Sequence, residues 1–292
     1  MTSDLVTLIE RHRPLILPGV PNALSARMAV DVGFEALYVT GAGLTNTNLG
    51  MPDLGFLSLP DLVWQVSAIS EVVDVPLVVD ADTGFGNAVN VQHTVRRLER
   101  AGAAAVQIED QMSPKKCGHF EGKEVVPAEE MVGKIHAAVD ARRSSEFLVV
   151  ARTDVAATEG IGAAIDRAGR YAEAGADILF VEAPRSTADM RRVTTEVPGV
   201  HVANIVEGGL TPAQTRAELD DLGFSIGLYA NAAMRGAMLG MRRILDHLSE
   251  HGDTADAAHL IASWDERQTL VRKSDYDAAE KRYAAENYTR ES

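Results

Sequence analysis

The sequence predicts an α/β fold, a closed (β/α)₈ barrel, on three observations. One unit recurs along the chain: a short apolar run rich in Val, Ile and Leu, then a longer amphipathic segment. The runs are apolar on both faces, the mark of parallel strands covered by helices. The 292 residues suit one such barrel, typically about 250 residues plus insertions. A 46% hydrophobic content supplies enough apolar material for one large core or two small ones.

The strand runs fall at 15–20, 36–41, 76–82, 104–110, 147–154, 177–183, 200–207 and 224–230. Helical patterns lie between them, as in VQHTVRRLERA (91–101) and IGAAIDRAGRYAEA (161–174). The junctions AGAAAV (101–106) and AGADIL (174–179) are alike, each placing glycine where a helix stops and the next strand begins. Eight strands alternating with helices point to the closed barrel, with a doubly wound sheet as the competing topology. No low-complexity linker precedes residue 250. Residues 1–250 therefore read as the barrel with its active site. Residues 251–292 read as a charged helical extension of the same domain, able to cap the barrel or reach a neighbouring subunit.

Aspartate and glutamate total 42 against 28 lysine and arginine, a formal net charge of −14. Such a surface repels nucleic acid and anionic membranes, so neither is expected as a partner. A small anionic substrate then needs a local basic pocket. A single cysteine, Cys117, excludes a disulfide within the chain and a cysteine-rich zinc site. The N-terminus lacks a signal-peptide pattern and no apolar run approaches about 18–20 residues, so the expected location is cytoplasmic.

In this fold catalytic groups sit at the C-terminal ends of the strands. Those ends carry Thr40 and Gly41, Asp80 and Asp82, Glu109 and Asp110, Arg152 and Asp154, Glu182, Asn204 and Glu207, and Asn231 with Arg235 just beyond. In PLVVDADTGFGN (76–87), strand alternation puts Asp80 and Asp82 on one face, about 7 Å apart along the chain. Two carboxylates so placed repel each other, and a hard divalent cation relieves this; all-oxygen ligands suit Mg²⁺ or Mn²⁺. Glu109 could hold a metal-bound water. Alternatively, one aspartate caps the next helix and the other pairs with a lysine or arginine.

EDQMSPKKCGHFEGKEVV (109–126) follows a strand, is rich in glycine and charge, is long for a strand-to-helix loop and suits a mobile lid. Lys115, Lys116 and His119 flank Cys117, and cations of this kind make a thiol a usable acid, base or nucleophile. A solvated, inert cysteine is the alternative. In TGAGLTNTNLGMPDLGF (40–56), glycines permit close approach of backbone to ligand, and Thr40, Gly41 and Ala42 could present N–H groups to a carboxylate. Asp53 in the same loop could enter the site from above. His93, His136 and His201 lack metal-ligand spacing and read as surface or satisfied core residues.

TGAGLTNTNLGMPDLGF, DADTGFGN, EDQMSPKKCGH, ARTD and ANIVEGG together resemble the isocitrate lyase/phosphoenolpyruvate mutase superfamily, from about Pro18 to about Arg243. The resemblance implies a (β/α)₈ barrel whose last helix is swapped between partners, in a homotetramer built from dimers. It implies an Mg²⁺ site at Asp80, Asp82 and Glu109, partly through waters. It implies a substrate carboxylate held by N–H groups of Thr40, Gly41 and Ala42, with Asp53 lining the site. Arg152 would bind substrate oxygens, Glu182 and Asn204 would add polar contacts, and Arg235 would be a second carboxylate anchor. Lys115, Cys117, Gly118 and His119 match the gating loop.

Superfamily members with this cysteine are mainly carbon–carbon lyases, and some hydrolyse oxaloacetate-type substrates. Phosphonate mutases and hydrolases typically carry asparagine there, although the carboxyphosphoenolpyruvate phosphonomutase branch keeps the cysteine. Phe120 stands where 2-methylisocitrate lyases typically carry an arginine tied to a third carboxylate, which favours a dicarboxylate. The CGHxEGK form resembles the 2,3-dimethylmalate lyase branch. The resemblance thus implies Mg²⁺-dependent cleavage of a 2-hydroxy dicarboxylate to a 2-oxo acid and a carboxylate, with Cys117, Lys115, Arg152 and Glu182 as catalytic groups. Oxaloacetate-type hydrolysis, phosphonate mutation and a non-catalytic metabolite-binding barrel are the alternatives.

Overall fold

The structure is a computed structural model and describes residues 4–116, 118 and 122–284. Eight parallel strands close into a barrel: β1 (Leu15–Val20), β2 (Leu37–Val39), β3 (Leu77–Asp80), β4 (Ala105–Glu109), β5 (Leu148–Thr153), β6 (Ile178–Val181), β7 (Val200–Asn204) and β8 (Ile226–Tyr229). Each strand pairs with its sequence neighbour, and β8 returns to β1. Closure excludes the doubly wound alternative, whose sheet has two open edges.

Alternation along the strands builds the barrel in two layers. Leu37, Val39, Val79, Val106, Ile108, Val149, Leu179 and Val181 belong to the core between strands and helices. The opposite parity faces the barrel axis, with Leu17, Tyr38, Val78, Ala105, Val150, Ile178, Phe180, Val202 and Leu228. Continuing that inward parity toward the strand ends gives Thr40, Asp80, Asp82, Gln107, Glu109, Arg152, Glu182 and Asn204. The axis is apolar below and polar above, so the strands themselves aim the candidate site residues at one end.

The run 36–41 shortens to Leu37–Val39 because Thr40 caps a short helix, Gly41–Leu44; its hydroxyl accepts from Gly43 N at 3.1 Å. The helix Ala88–Arg100 is capped by Asn87, whose Oδ1 accepts from Val89 N and Asn90 N at 3.0 and 3.3 Å. Neither Asp80 nor Asp82 performs that task.

The chain forms two compact units, Met1–Met234 and Arg235–Ser292. The division falls near the start of the helix Ala232–His251. Met234 is the only buried residue of that helix. The second unit continues through helices Trp264–Leu270 and Lys273–Tyr283. Its apolar side chains Met238, Leu239, Met241, Leu245, Ile261 and Trp264 are exposed. Among the described residues, no helix is long and apolar enough to cross a membrane.

Candidate active site

A cavity opens at the C-terminal ends of the strands. Thr40, Ala42, Asp53 and Asp80 line it from the β2 and β3 end segments. Gly118, Arg152, Glu182 and Asn204 line it from those of β4 to β7. These eight residues, singled out from sequence, come together around one space. Cys117 and His119 lie outside the described residues, as does Phe120. Arg235 belongs to the second compact unit, near the start of its long helix.

Six buried carboxylates, Asp53, Asp80, Asp82, Glu109, Asp154 and Glu182, meet three buried cations, Lys115, Lys123 and Arg152. Arg152 sits at the centre. Its Nε and Nη2 donate to Asp154 Oδ2 and Oδ1, both at 2.9 Å. Nη1 lies 3.1 Å from Glu109 Oε2 and Nη2 lies 3.4 Å from Glu182 Oε2. The guanidinium also stacks over the Phe180 ring, 5.2 Å from its centroid. Burial alone would lower the pKa of Arg152, but the charges of Asp154, Glu109 and Glu182 outweigh it and hold the group above its ordinary value. Strand register causes this clustering: Glu109 is directly opposite Arg152, and Arg152 is opposite Phe180.

Lys115 reaches in from the long loop. Its Nζ donates to Asp53 Oδ1 and Oδ2 at 2.6 and 2.8 Å and lies 2.9 Å from Asp82 Oδ1. Half of the alternative for the two aspartates is therefore realised, since Asp82 has a lysine partner. The loop that carries Lys115 is pinned by Gln111, whose amide accepts from Lys116 N at 2.9 Å and donates to Lys116 O at 2.8 Å. Lys123 ties the far side of the loop down, donating to Asp154 Oδ1 at 2.8 Å and to the Gly118 carbonyl. Gly118 packs against Arg152 and Glu182 so closely that an added Cβ would meet Glu182 Cγ and Cδ at 2.7 Å. Only glycine fits there.

An excess of carboxylate in a buried site must be relieved by protonation or by a cation. Burial, reinforced by Asp80 and opposed by Lys115, pushes Asp82 up to about 7. Burial likewise holds Glu109 well above the usual carboxylate range against the opposing charge of Arg152. Among the described residues, both Glu109 oxygens and Asp82 Oδ1 are buried without a well-aligned hydrogen bond, Glu109 Oε2 and Asp82 Oδ1 being met by the ion pairs to Arg152 and Lys115. Asp82 also adopts a left-handed φ of 49°, uncommon for a residue other than glycine and typical of functional turns. Gly41 brings backbone against both aspartates, since an added Cβ would lie 3.0 Å from Asp80 Oδ2 and 3.4 Å from Asp82 Oδ1.

This all-oxygen, carboxylate-rich donor set fits a hard divalent cation. Among the described residues, no three His, Cys, Asp or Glu side chains converge tightly enough to hold an ion directly. An ion here would be held by Asp80 and Asp82, with Glu109 acting through water. The Gly41 N–H donates to Asp80 Oδ2 at 3.2 Å. That group is thus engaged with the aspartate, whereas the sequence suggested that it serves a substrate carboxylate.

Four further residues belong to the site and escaped the sequence reading as site members: Tyr38, Gln107, Phe180 and Lys123. Tyr38 and Phe180 line the cavity beside their strand partners in parity, Thr40 and Glu182. Gln107 sits two residues before Glu109 on the inward face. A polar residue inside an otherwise apolar strand, AVQIE, is the signal that finds it.

Residues 5–249 match the phosphoenolpyruvate phosphomutase family. The chain is 43% identical over 277 residues to 2,3-dimethylmalate lyase of Eubacterium barkeri, covering 95% of this chain and 96% of that one. It is 44% identical over 270 residues to 2-methylisocitrate lyase of Aeropyrum pernix, covering 92% and 87%. Among solved structures, oxaloacetate acetylhydrolase in complex with the inhibitor 3,3-difluorooxalacetate superposes with a TM-score of 0.89 at 33% identity, covering 99% of this chain and 98% of that one. The chain is an enzyme of the phosphoenolpyruvate mutase/isocitrate lyase superfamily.

Proposed function

We propose that the enzyme is a divalent-metal-dependent carbon–carbon lyase that cleaves a 2-hydroxy dicarboxylate to a 2-oxo acid and a carboxylate. The observation that carries this is Arg152 and Lys115 projecting into a pocket where buried carboxylates outnumber the cations that meet them. The similarity to 2,3-dimethylmalate lyase and 2-methylisocitrate lyase supports the reaction class.

Asp80 and Asp82, with Glu109 through water, would hold Mg²⁺ or Mn²⁺. When bound, such an ion supplies Lewis-acid stabilisation of charge on the substrate's C2 oxygen. Glu182, held by Asn204 Nδ2 at 3.2 Å and facing Arg152, is the chain's own base for the C2 hydroxyl proton. Loss of that proton lets the C2–O bond become a carbonyl while the C2–C3 electron pair passes to C3. The departing fragment is the enolate-like dianion of a carboxylic acid and is strongly basic. Arg152 and Lys115 oppose its charge from a buried position, where their attraction is strong. The thiol of Cys117 then donates a proton to C3, closing the balance with one 2-oxo acid and one carboxylate. Lys123 and Gln111 keep the loop seated during the step, which excludes water from the carbanion.

Phe120 in the CGHxEGK loop supports a dicarboxylate over a tricarboxylate. The homotetramer with swapped C-terminal helices belongs to the same proposal, and the exposed apolar side chains of the second unit support it. Size exclusion would show a tetramer, and a monomer at micromolar concentration would contradict it. The similarity to oxaloacetate acetylhydrolase favours oxaloacetate hydrolysis as the second reading. The test is 2-oxo acid release, trapped as the phenylhydrazone, from 2,3-dimethylmalate, 2-methylisocitrate, isocitrate and citramalate. Release from a dicarboxylate is expected. Release from the tricarboxylates alone would refute the Phe120 reasoning, and no release, with turnover of oxaloacetate instead, would move the assignment to hydrolysis.

A further inference from the structure

Gln107 is fully buried in the middle of β4, directly opposite Asp80 in the strand register. Its Nε2 donates to Asp80 Oδ1 at 3.2 Å, and its Oε1 accepts from the Tyr38 hydroxyl at 2.7 Å. The direction of this chain is forced. An ionised carboxylate only accepts, so the amide must turn its NH₂ toward Asp80. Its carbonyl then faces Tyr38, whose hydroxyl must donate. Burial and the nearby charge of Asp80 keep the Tyr38 proton in place by raising that phenol well above its ordinary value. Tyr38 therefore locks the amide against flipping.

Among the described residues, Asp80 accepts two donors at Oδ1, Gln107 Nε2 and Asp82 N, and one at Oδ2, Gly41 N, all at 3.2 Å. Two of these donors are backbone groups at the ends of the adjacent strands β2 and β3. Gln107 is the only side chain among them. It approaches from inside the barrel, beneath the site. Three donors fix the plane of the carboxylate while leaving one lone pair of Oδ2 directed elsewhere.

Resting on the divalent-metal reading above, we propose that Gln107 is a positioning residue: locked by Tyr38, its amide orients Asp80 and thereby sets the affinity of the site for the divalent cation. It touches neither substrate nor metal. Partners of metal ligands of this kind typically contribute about 10- to 100-fold in affinity.

The experiment is titration of Mn²⁺ into the metal-stripped full-length enzyme, with free Mn²⁺ read by electron paramagnetic resonance and folding read by circular dichroism. Gln107→Met removes the donor at nearly equal length and is expected to weaken Mn²⁺ by at least about tenfold. Gln107→Leu serves if the methionine variant does not fold. Tyr38→Phe leaves the amide but unlocks it, and is expected to weaken Mn²⁺ by a few-fold only. In the activity assay the Mg²⁺ activation constant of Gln107→Met should rise by the same factor, with kcat nearly restored at saturating metal. A glutamine that merely packs the barrel would lower the melting temperature and leave Mn²⁺ affinity unchanged; that result overturns the role of Gln107 and leaves the metal site standing. No Mn²⁺ binding by the wild-type enzyme overturns both.

Discussion

Asp154 is the joint between the long loop and Arg152, and Asp154→Asn tests that joint. The carboxylate is fully buried and receives Arg152 Nε, Arg152 Nη2 and Lys123 Nζ at 2.8–2.9 Å. Arg152 and Lys123 hold its pKa below the ordinary value even though burial acts to raise it. Asparagine keeps the shape but removes the charge and presents one NH₂ toward two cations. Removing one partner of a buried ion pair costs about 3–5 kcal/mol. Glu109 and Glu182 still face Arg152, which puts the cost near the lower end, about 3 kcal/mol. For a unit of this size that is a loss of about 6–12 °C in melting temperature, at about 2–4 °C per kcal/mol. Lys123 is the cation left worse off, so adding Lys123→Met should recover about 1–3 kcal/mol of the loss, the coupling expected of residues in direct contact. Thermal denaturation of the two single variants and the double variant gives the cycle. Turnover should fall in Asp154→Asn, because Arg152 loses its bidentate support, and should not return in the double variant. A double variant no more stable than Asp154→Asn, or a single variant melting within about 2 °C of wild type, would refute this account of the joint.

Two other outcomes follow from the same physics. Cys117→Ser should bind substrate normally and lose most turnover, since a serine hydroxyl is a far weaker acid; steady-state rates beside a binding isotherm decide it, and near-normal turnover removes the thiol from the mechanism. His201 is buried, with Nε2 2.7 Å from the Val197 carbonyl, and burial lowers it below its ordinary 6.5. The unfolded chain therefore gains a proton, as pH falls through that value, which the folded chain resists. The melting temperature should decline below pH 6.5, and His201→Gln should flatten that decline; an unchanged slope would show that His201 is not its source.

Much of this site is legible in sequence because strand parity does two jobs at once. The alternation that buries Val79 and Ile108 outward aims Asp80 and Glu109 inward, so a chemical residue at a strand end is already placed. What parity cannot supply is register between strands. That Gln107 stands opposite Asp80, and Glu109 opposite Arg152, depends on the stagger of the closed barrel and appears only in the fold. Loop contacts are hidden for a similar reason. EDQMSPKKCGHFEGK announces a charged loop with three lysines, yet which lysine meets Asp53 and which meets Asp154 depends on where Gln111 folds it back.

The central claim, metal-dependent cleavage with protonation of carbon by the enzyme, meets its most direct test in one NMR experiment. The enzyme is supplied with 2,3-dimethylmalate and Mg²⁺ in D₂O, with a metal-stripped sample alongside. Equal amounts of pyruvate and propionate carrying one deuterium at C2 are expected, and none without metal. Unchanged substrate in the presence of Mg²⁺, or equal cleavage in the stripped sample, would contradict the account.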